Sequence, residues 1–164
     1  MSVELQLVEA IDLGFDTNLV ADALEARFID CDQVDIPVRH SFSPGEYRRE
    51  ITIPAGTLII GHKHLTSHWN ILHRGRASIV MNGQRKEVKG PMTFWSEAGT
   101  RKIAYVHEEV VFETIHETST IKIEDLEDEL CEKTEVWKKR FGPYIDWIGK
   151  REVLDHYEAV EQHA

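Results

Sequence analysis

The sequence is poor in cysteine and has no long apolar run. Its two cysteines, Cys31 and Cys131, lie far apart in 164 residues, so we expect two reduced thiols rather than a disulfide framework. No apolar stretch approaches the roughly 20 residues that a membrane-spanning helix requires. Residues 1–5 have neither the basic region nor the apolar core of a secretory signal. We therefore expect a cytoplasmic protein with no membrane partner.

Basic residues are also in short supply. The chain has 19 Lys and Arg against 29 Asp and Glu, a formal net charge of −10. Binding to a nucleic-acid backbone requires clustered Lys and Arg, so nucleic acid is an unlikely partner by this criterion. Much of the acidity lies in residues 124–129, as expected for a solvated helix face. With 41% hydrophobic residues, the composition is that of a globular domain.

Turn signals divide the middle of the chain into many short strands. Asn82-Gly83 is a strong hairpin signal, and further turns are predicted at Arg74-Gly75 and at residues 107–109. Short strands with regular turns indicate an all-β barrel or sandwich. We predict an arm with a short helix over residues 1–33, a barrel over 34–118 and helices over 119–164.

Helical patterns flank the predicted strands on both sides. Asp16, Thr17 or Asn18 could cap a helix that runs to Phe28, because a side-chain oxygen there would accept a free backbone N–H. After residue 118, apolar residues return at helical spacing up to residue 137, and Ser119 or Thr120 could cap that helix. A second helix is predicted over residues 144–161. These helices would cover the barrel or a dimer partner.

A histidine-rich stretch follows the β-branched run at residues 57–60. His62 and His64 are two residues apart, so on one strand their side chains would share a face. A tight turn could then bring His68 back beside them on the next strand. Three neutral imidazoles can hold a metal ion at about 2.0–2.1 Å from each nitrogen. We predict a metal site formed by His62, His64 and His68.

The spacing of this stretch resembles the first motif of the cupin superfamily. The matching positions are Gly56, His62, His64, His68 and Gly75, with His68 where most cupins have a glutamate. The second motif is recognisable from Gly90 to Lys102, where Lys102 replaces the usual histidine. Shorter pieces at residues 41–47, 53–57 and 98–102 resemble small cupins encoded by bacteriophages and prophages.

The resemblance implies a cupin jelly roll and a divalent transition metal, namely Fe, Zn, Ni or Mn. It also implies a small-molecule ligand inside the barrel. Lys102 would point toward the metal and is a candidate catalytic or anion-binding residue. A protonated lysine has no lone pair to give, so either His116 or Glu113, on opposite faces of the last strand, could supply a missing ligand, and His116 could act in catalysis. Asn70 and Arg48 are further candidate ligand contacts.

Three functions are compatible with these features. The first is a small metalloenzyme acting on a small polar molecule, by dioxygenase-like or isomerase- or lyase-like chemistry. The second is a cupin that captures a ligand without turnover, for example a sequestering protein in the cytoplasm of a phage host. The third is a phage structural or assembly protein. A homodimer is expected in each case, and the fold alone does not choose among them.

Overall fold

Nine strands dominate the structure, a computed structural model that describes Gly14 and residues 16–141. Two helices, α1 (Thr17–Phe28) and α2 (Ile123–Leu130), flank the strands, and residues 135–141 form a third, α3. The strands are β1 (Val38–Ser43), β2 (Glu46–Ile53), β3 (Leu58–Ile60), β4 (Lys63–His64), β5 (His68–Met81), β6 (Gln84–Lys89), β7 (Met92–Ser96), β8 (Ile103–Glu117) and β9 (Cys131–Glu132).

The long strands β5 and β8 join two layers of sheet. These two strands pair with each other at the centre of the sheet. Strand β8 also pairs with β2, which pairs with β1, and β5 also pairs with β6. In addition, β3 pairs with β8 and β7 with β5. The first half of β5 pairs with the second half of β8, and the second half of β5 pairs with the first half of β8. Every strand pair in the described part of the chain is antiparallel. The prediction of an all-β barrel is therefore confirmed.

Two predicted turns are wrong, and both fall where these long strands bend. Residues 74–75 lie within β5, and residues 107–109 lie within β8. The register between the two strands shifts between Leu72 and Ala77, as at a β-bulge. Gly75 has a φ of +91°, and a Cβ there would lie 2.1 Å from the carbonyl oxygen of Glu109. Glycine is therefore required where the strands pass from one layer to the other.

The predicted N-terminal helix is confirmed as α1. The Asp16 side chain accepts hydrogen bonds from the backbone N–H groups of Asn18 and Leu19, which satisfies donors that lack an intrahelical partner. The buried face of α1 presents Ala21 and Leu24 to a cluster with Val80 and Ile103. The helix therefore packs against the strands of the second layer.

The helix predicted after residue 118 is interrupted. Helix α2 ends at Leu130, and the chain then forms β9, which pairs with β4. No side-chain hydrogen bond caps α2 at Lys122, so the predicted Ser119 or Thr120 cap is wrong. Leu126 and Leu130 are buried beside Tyr47 of β2. The second predicted helix, over residues 144–161, lies outside the described residues.

A cavity of about 710 Å³ lies between the inner faces of the strands. Its lining includes the apolar core of the barrel and also residues from α2 and α3. No helix among the described residues is long and apolar enough to cross a membrane. The division of the chain at residues 33 and 118 stays a prediction.

Candidate metal centre

The strand that was predicted to carry both His62 and His64 is interrupted just before His64. Strand β3 ends at Ile60 and β4 begins at Lys63, so Gly61 and His62 lie between them. Because the alternation of one continuous strand is lost there, His62 does not join His64 in a close group, although both line the same cavity. The His62 ring instead packs edge-on against Trp137, with ring centroids 5.0 Å apart.

The structure brings together His64, His68 and His116. Their ligand nitrogens all lie within 4.8 Å of one another. The centroid of the His68 ring is 4.3 Å from that of His64 and 4.7 Å from that of His116. The predicted ligands His64 and His68 are thus neighbours, whereas His62 lies outside the group and the predicted catalytic residue His116 lies inside it.

Strand pairing accounts for the positions of two of these rings. His68 begins β5 and is 1% exposed, and His116 lies near the end of β8 and is 2% exposed. Trp69 pairs with Ile115 across the two strands, which sets their neighbours His68 and His116 side by side. His64 is held by its backbone, which bonds to the turn at Gly99 and Thr100.

All three histidines are neutral at pH 7. Burial lowers the pKa of His64 to about 2, that of His116 to about 3 and that of His68 to about 4. The positive charge of Lys102 lowers each of these pKa values further. A neutral imidazole keeps one nitrogen lone pair, which a metal ion requires.

The hydrogen bonds of the group fit a divalent transition metal. His68 Nδ1 donates to the Thr66 carbonyl oxygen at 3.0 Å, which leaves the lone pair on Nε2. Metal-binding histidines are commonly held in this way by a backbone carbonyl. His116 Nδ1 is buried and has no hydrogen-bond partner among the described residues, an unsatisfied state that is costly unless something binds there. Imidazole ligands suit Zn, Fe, Ni and Cu.

Lys102 adds a positive charge at the edge of this group. Its Nζ lies 3.1 Å from His68 Nε2 and donates to the lone pair that a metal ion would use. Burial lowers the pKa of Lys102 to about 8, so the side chain remains mainly an ammonium at pH 7. Lys102 also lines the cavity, where it can hold an anion.

The other two predicted ligand contacts lie elsewhere. Arg48 points to the outer face of β2, where it pairs with Glu46 at 2.6 Å and with Glu113 at 3.2 Å. Its neighbour Arg49 lines the cavity instead, because successive strand residues face opposite sides. Asn70 is fully buried and donates to Ser96 Oγ at 2.8 Å, within the sheet. It is not among the cavity-lining residues.

A second possible ligand group lies on the outer face of the same sheet. His73 Nε2 lies 3.2 Å from Glu113 and 3.9 Å from Glu50. Both carboxylates already have arginine partners, since Arg39 pairs with Glu50 at 2.9 Å and Arg48 with Glu113. We interpret this group as an ion-pair network.

A buried arginine beside Lys102 was missed by sequence reasoning. Arg101 is 2% exposed and donates to Glu25 and to the Gly61 carbonyl oxygen, both at 2.6 Å, as well as to Asp22. It therefore ties α1 to the loop between β3 and β4 and holds Lys102 in place. Nothing in the spacing of these residues indicated that they would meet.

Several solved structures are similar to this fold. A cupin superfamily protein from Desulfitobacterium hafniense DCB-2 is 10% identical, with a TM-score of 0.47 over 57% of this chain and 87% of that chain. An RmlC-like cupin family protein from Methanocaldococcus jannaschii is 12% identical, with a TM-score of 0.45 over 54% and 84%. Several solved structures similar to this chain are thus cupin superfamily proteins. The all-β part of the predicted cupin jelly roll is confirmed by the antiparallel strand pairing, and the likeness at these TM-scores adds no argument.

The cupin neighbours also include an enzyme. Salicylate 1,2-dioxygenase from Pseudoaminobacter salicylatoxidans is 13% identical, with a TM-score of 0.46 over 59% of this chain and 29% of that chain. At these identities and TM-scores, the likeness carries no argument about a reaction. No family model and no curated protein matches the sequence. A phage origin stays a prediction.

Proposed function

We propose that the protein binds one divalent transition metal through His64, His68 and His116 and acts on a small molecule in the barrel cavity. The observation that carries this proposal is the convergence of three neutral imidazoles, of which His68 and His116 are buried and His64 is half-buried, with their ligand nitrogens within 4.8 Å. His116 Nδ1, buried and without a hydrogen-bond partner among the described residues, is compatible with a bound metal, although His62 Nδ1 outside the group shares that state.

The composition of the group is that of a catalytic rather than a structural metal site. Three protein ligands leave a coordination position for water or substrate, whereas structural zinc sites use four. A divalent transition metal bound there supplies Lewis-acid chemistry or, if it is iron, redox chemistry. The barrel excludes bulk water from the histidines, and Lys102 can orient an anionic group of the substrate beside them.

Metal analysis of two variants tests the proposal. The purified protein, without a metal-binding tag, should take up about one equivalent of zinc in a calorimetric titration. His64→Ala should lose this binding, because one of three ligands is removed. His62→Ala is the matched control, since His62 lies in the same motif but outside the group. It should bind zinc as the unchanged protein does.

Either of two results would contradict the proposed ligand set. Zinc binding that survives in His64→Ala would exclude His64 as a ligand. Loss of zinc in His62→Ala with an unchanged circular dichroism spectrum would restore the ligand set that the motif predicted.

Capture of a ligand without turnover is the second candidate, and the cavity volume of about 710 Å³ supports it. A volume of this size can enclose a small organic molecule. Mass spectrometry of a ligand after incubation separates the two functions, since a captured ligand is recovered unchanged. The homodimer, the cytoplasmic location and the phage assembly role stay predictions.

A further inference from the structure

The lining of the cavity changes from apolar to polar along its length. The inward residues of β2 run from Ile53 and Ile51 to Arg49 and Tyr47, and all four line the cavity. The paired inward residues of β8 change in the same direction, through Val110, Phe112, Thr114 and His116. Six residues of strand span about 20 Å. One end of the cavity is therefore apolar, and the other is polar and carries His116.

The apolar end is a substantial surface. Buried side chains of the barrel core line it together with partly buried neighbours, namely Ile36, Ile51, Ile53, Ile59, Leu72, Ala77, Ile79, Val88, Ala104, Val106, Val110 and Phe112. These side chains offer no hydrogen bond to a ligand. A sugar or a nucleotide would leave its polar groups unsatisfied there, at a cost of roughly 1–3 kcal/mol for each group.

The polar end carries two cations, Arg49 and Lys102, that make no close ion pair. Among the described residues, no carboxylate lies within 4.0 Å of the Arg49 guanidinium or the Lys102 ammonium. Both positive charges act on the His64 and His116 rings, so both lie at the metal end of the cavity. Of the carboxylates in the lining, Glu127 pairs with Lys133 at 2.7 Å and Glu25 with Arg101 at 2.6 Å, while Asp32 is exposed. The charge of Arg49 also lowers the pKa of Glu127.

The ligand group itself brings no negative charge. His64, His68 and His116 are all neutral at pH 7. A divalent metal would therefore add two positive charges to those of Arg49 and Lys102. At the end of the cavity that carries the histidines, this local excess of positive charge favours an anionic ligand.

We propose that the cavity takes a carboxylic acid with an apolar body, its carboxylate held by Arg49 and Lys102 and its body in the apolar end of the barrel. This inference deepens the proposed function, because the bound metal adds to the attraction for the carboxylate. It differs from the small polar substrate expected from sequence, because most of the lining is apolar.

Calorimetry with simple probes tests the substrate class. Octanoate should bind the protein, with and without zinc, and more tightly than butyrate, by about fourfold for each added CH2 group that is buried. The neutral 1-octanol should bind about 10- to 100-fold more weakly than octanoate, because it lacks the charged hydrogen bonds. Adenosine monophosphate, a polar anion, should bind more weakly than octanoate.

Adjacent arginines offer a matched pair of variants. Arg49→Gln should weaken octanoate binding by about 10- to 100-fold and leave 1-octanol binding unchanged. Arg48→Gln should change neither, since Arg48 lies on the outer face. A third variant keeps the test valid if Arg49→Gln fails to fold. Ala77→Leu shortens the apolar end, so octanoate binding should weaken while butyrate binding does not.

The inference and the proposed function can fail separately. Zinc binding with octanoate no tighter than 1-octanol would overturn the inference and leave the metal site in place. Octanoate binding without any zinc binding would support the inference and exclude the metal site. Tighter binding of adenosine monophosphate than of octanoate, or equal loss of octanoate binding in Arg48→Gln and Arg49→Gln, would also overturn the inference.

Discussion

Two groups of potential metal ligands lie on opposite faces of one sheet. Inside the barrel are His64, His68 and His116, and outside are His73, Glu50 and Glu113. The outer carboxylates have arginine partners at 2.9–3.2 Å, whereas the inner group includes a buried nitrogen with no partner among the described residues. Proximity alone therefore does not identify a metal site. The partners that each group already has decide between a metal site and an ion-pair network.

The largest expected effect is that of acidification on the free energy of unfolding, through the inner histidines. The inner histidines have folded-state pKa values of about 2 to 4, below the usual 6.5, so the unfolded chain binds more protons as pH falls below 6.5. The free energy of unfolding of the metal-free protein should therefore decrease from pH 6.5 to 4, by up to about 1.4 kcal/mol per pH unit for each histidine.

Urea denaturation at several pH values measures this effect. His116→Leu removes one of the titrating groups, so its stability should depend less steeply on pH than that of the unchanged protein. A free energy of unfolding that stays constant between pH 6.5 and 4 would mean that the inner rings are solvated and apart.

Zinc affinity should separate an inner histidine from an outer one. His116→Ala removes a ligand and should weaken zinc binding by more than about 100-fold, since the loss of a residue that only supports a ligand already costs 10- to 100-fold. His73→Ala should leave the affinity unchanged. Competition with a fluorescent zinc chelator measures both, and an equal loss in the two variants would contradict the distinction.

Lys102 should oppose metal binding by a smaller amount. Its ammonium occupies the lone pair of His68 Nε2 at 3.1 Å, and its charge repels a cation. Lys102→Met should therefore raise zinc affinity by about tenfold, a modest part of the Coulomb energy expected at this distance. The same chelator competition measures it. Weaker zinc binding in this variant would mean that Lys102 helps to hold the metal.

Sequence reasoning pointed to the stretch that supplies two of the three imidazoles that the structure brings together, and it also included one that lies apart. The motif spacing pointed to His64 and His68, and strand order made His116 a candidate. It also included His62, because alternation assumes a continuous strand and the break at Gly61 cannot be read from the residues. In the same way, Arg48 was preferred to Arg49, since a single sequence does not show which face of β2 is inside.

The bends of the two long strands could likewise not be predicted from the sequence alone. Arg74-Gly75 and residues 107–109 have the composition of turns, and the chain does change direction there. Whether such a segment reverses the strand or only bends it depends on what it packs against. Gly75 lies against the carbonyl group of Glu109 in the partner strand, a contact between residues far apart in sequence.

By itself, the amino-acid sequence determined the alternation and turn chemistry that make this chain an antiparallel barrel, and the histidine-rich stretch that enters it. These properties depend on neighbouring residues. Only the tertiary structure decided which three imidazoles meet and which arginine faces the cavity. Those choices depend on strand register and on burial, through which distant segments lower the pKa values of the histidines and, within the described part of the chain, leave His116 Nδ1 without a hydrogen-bond partner.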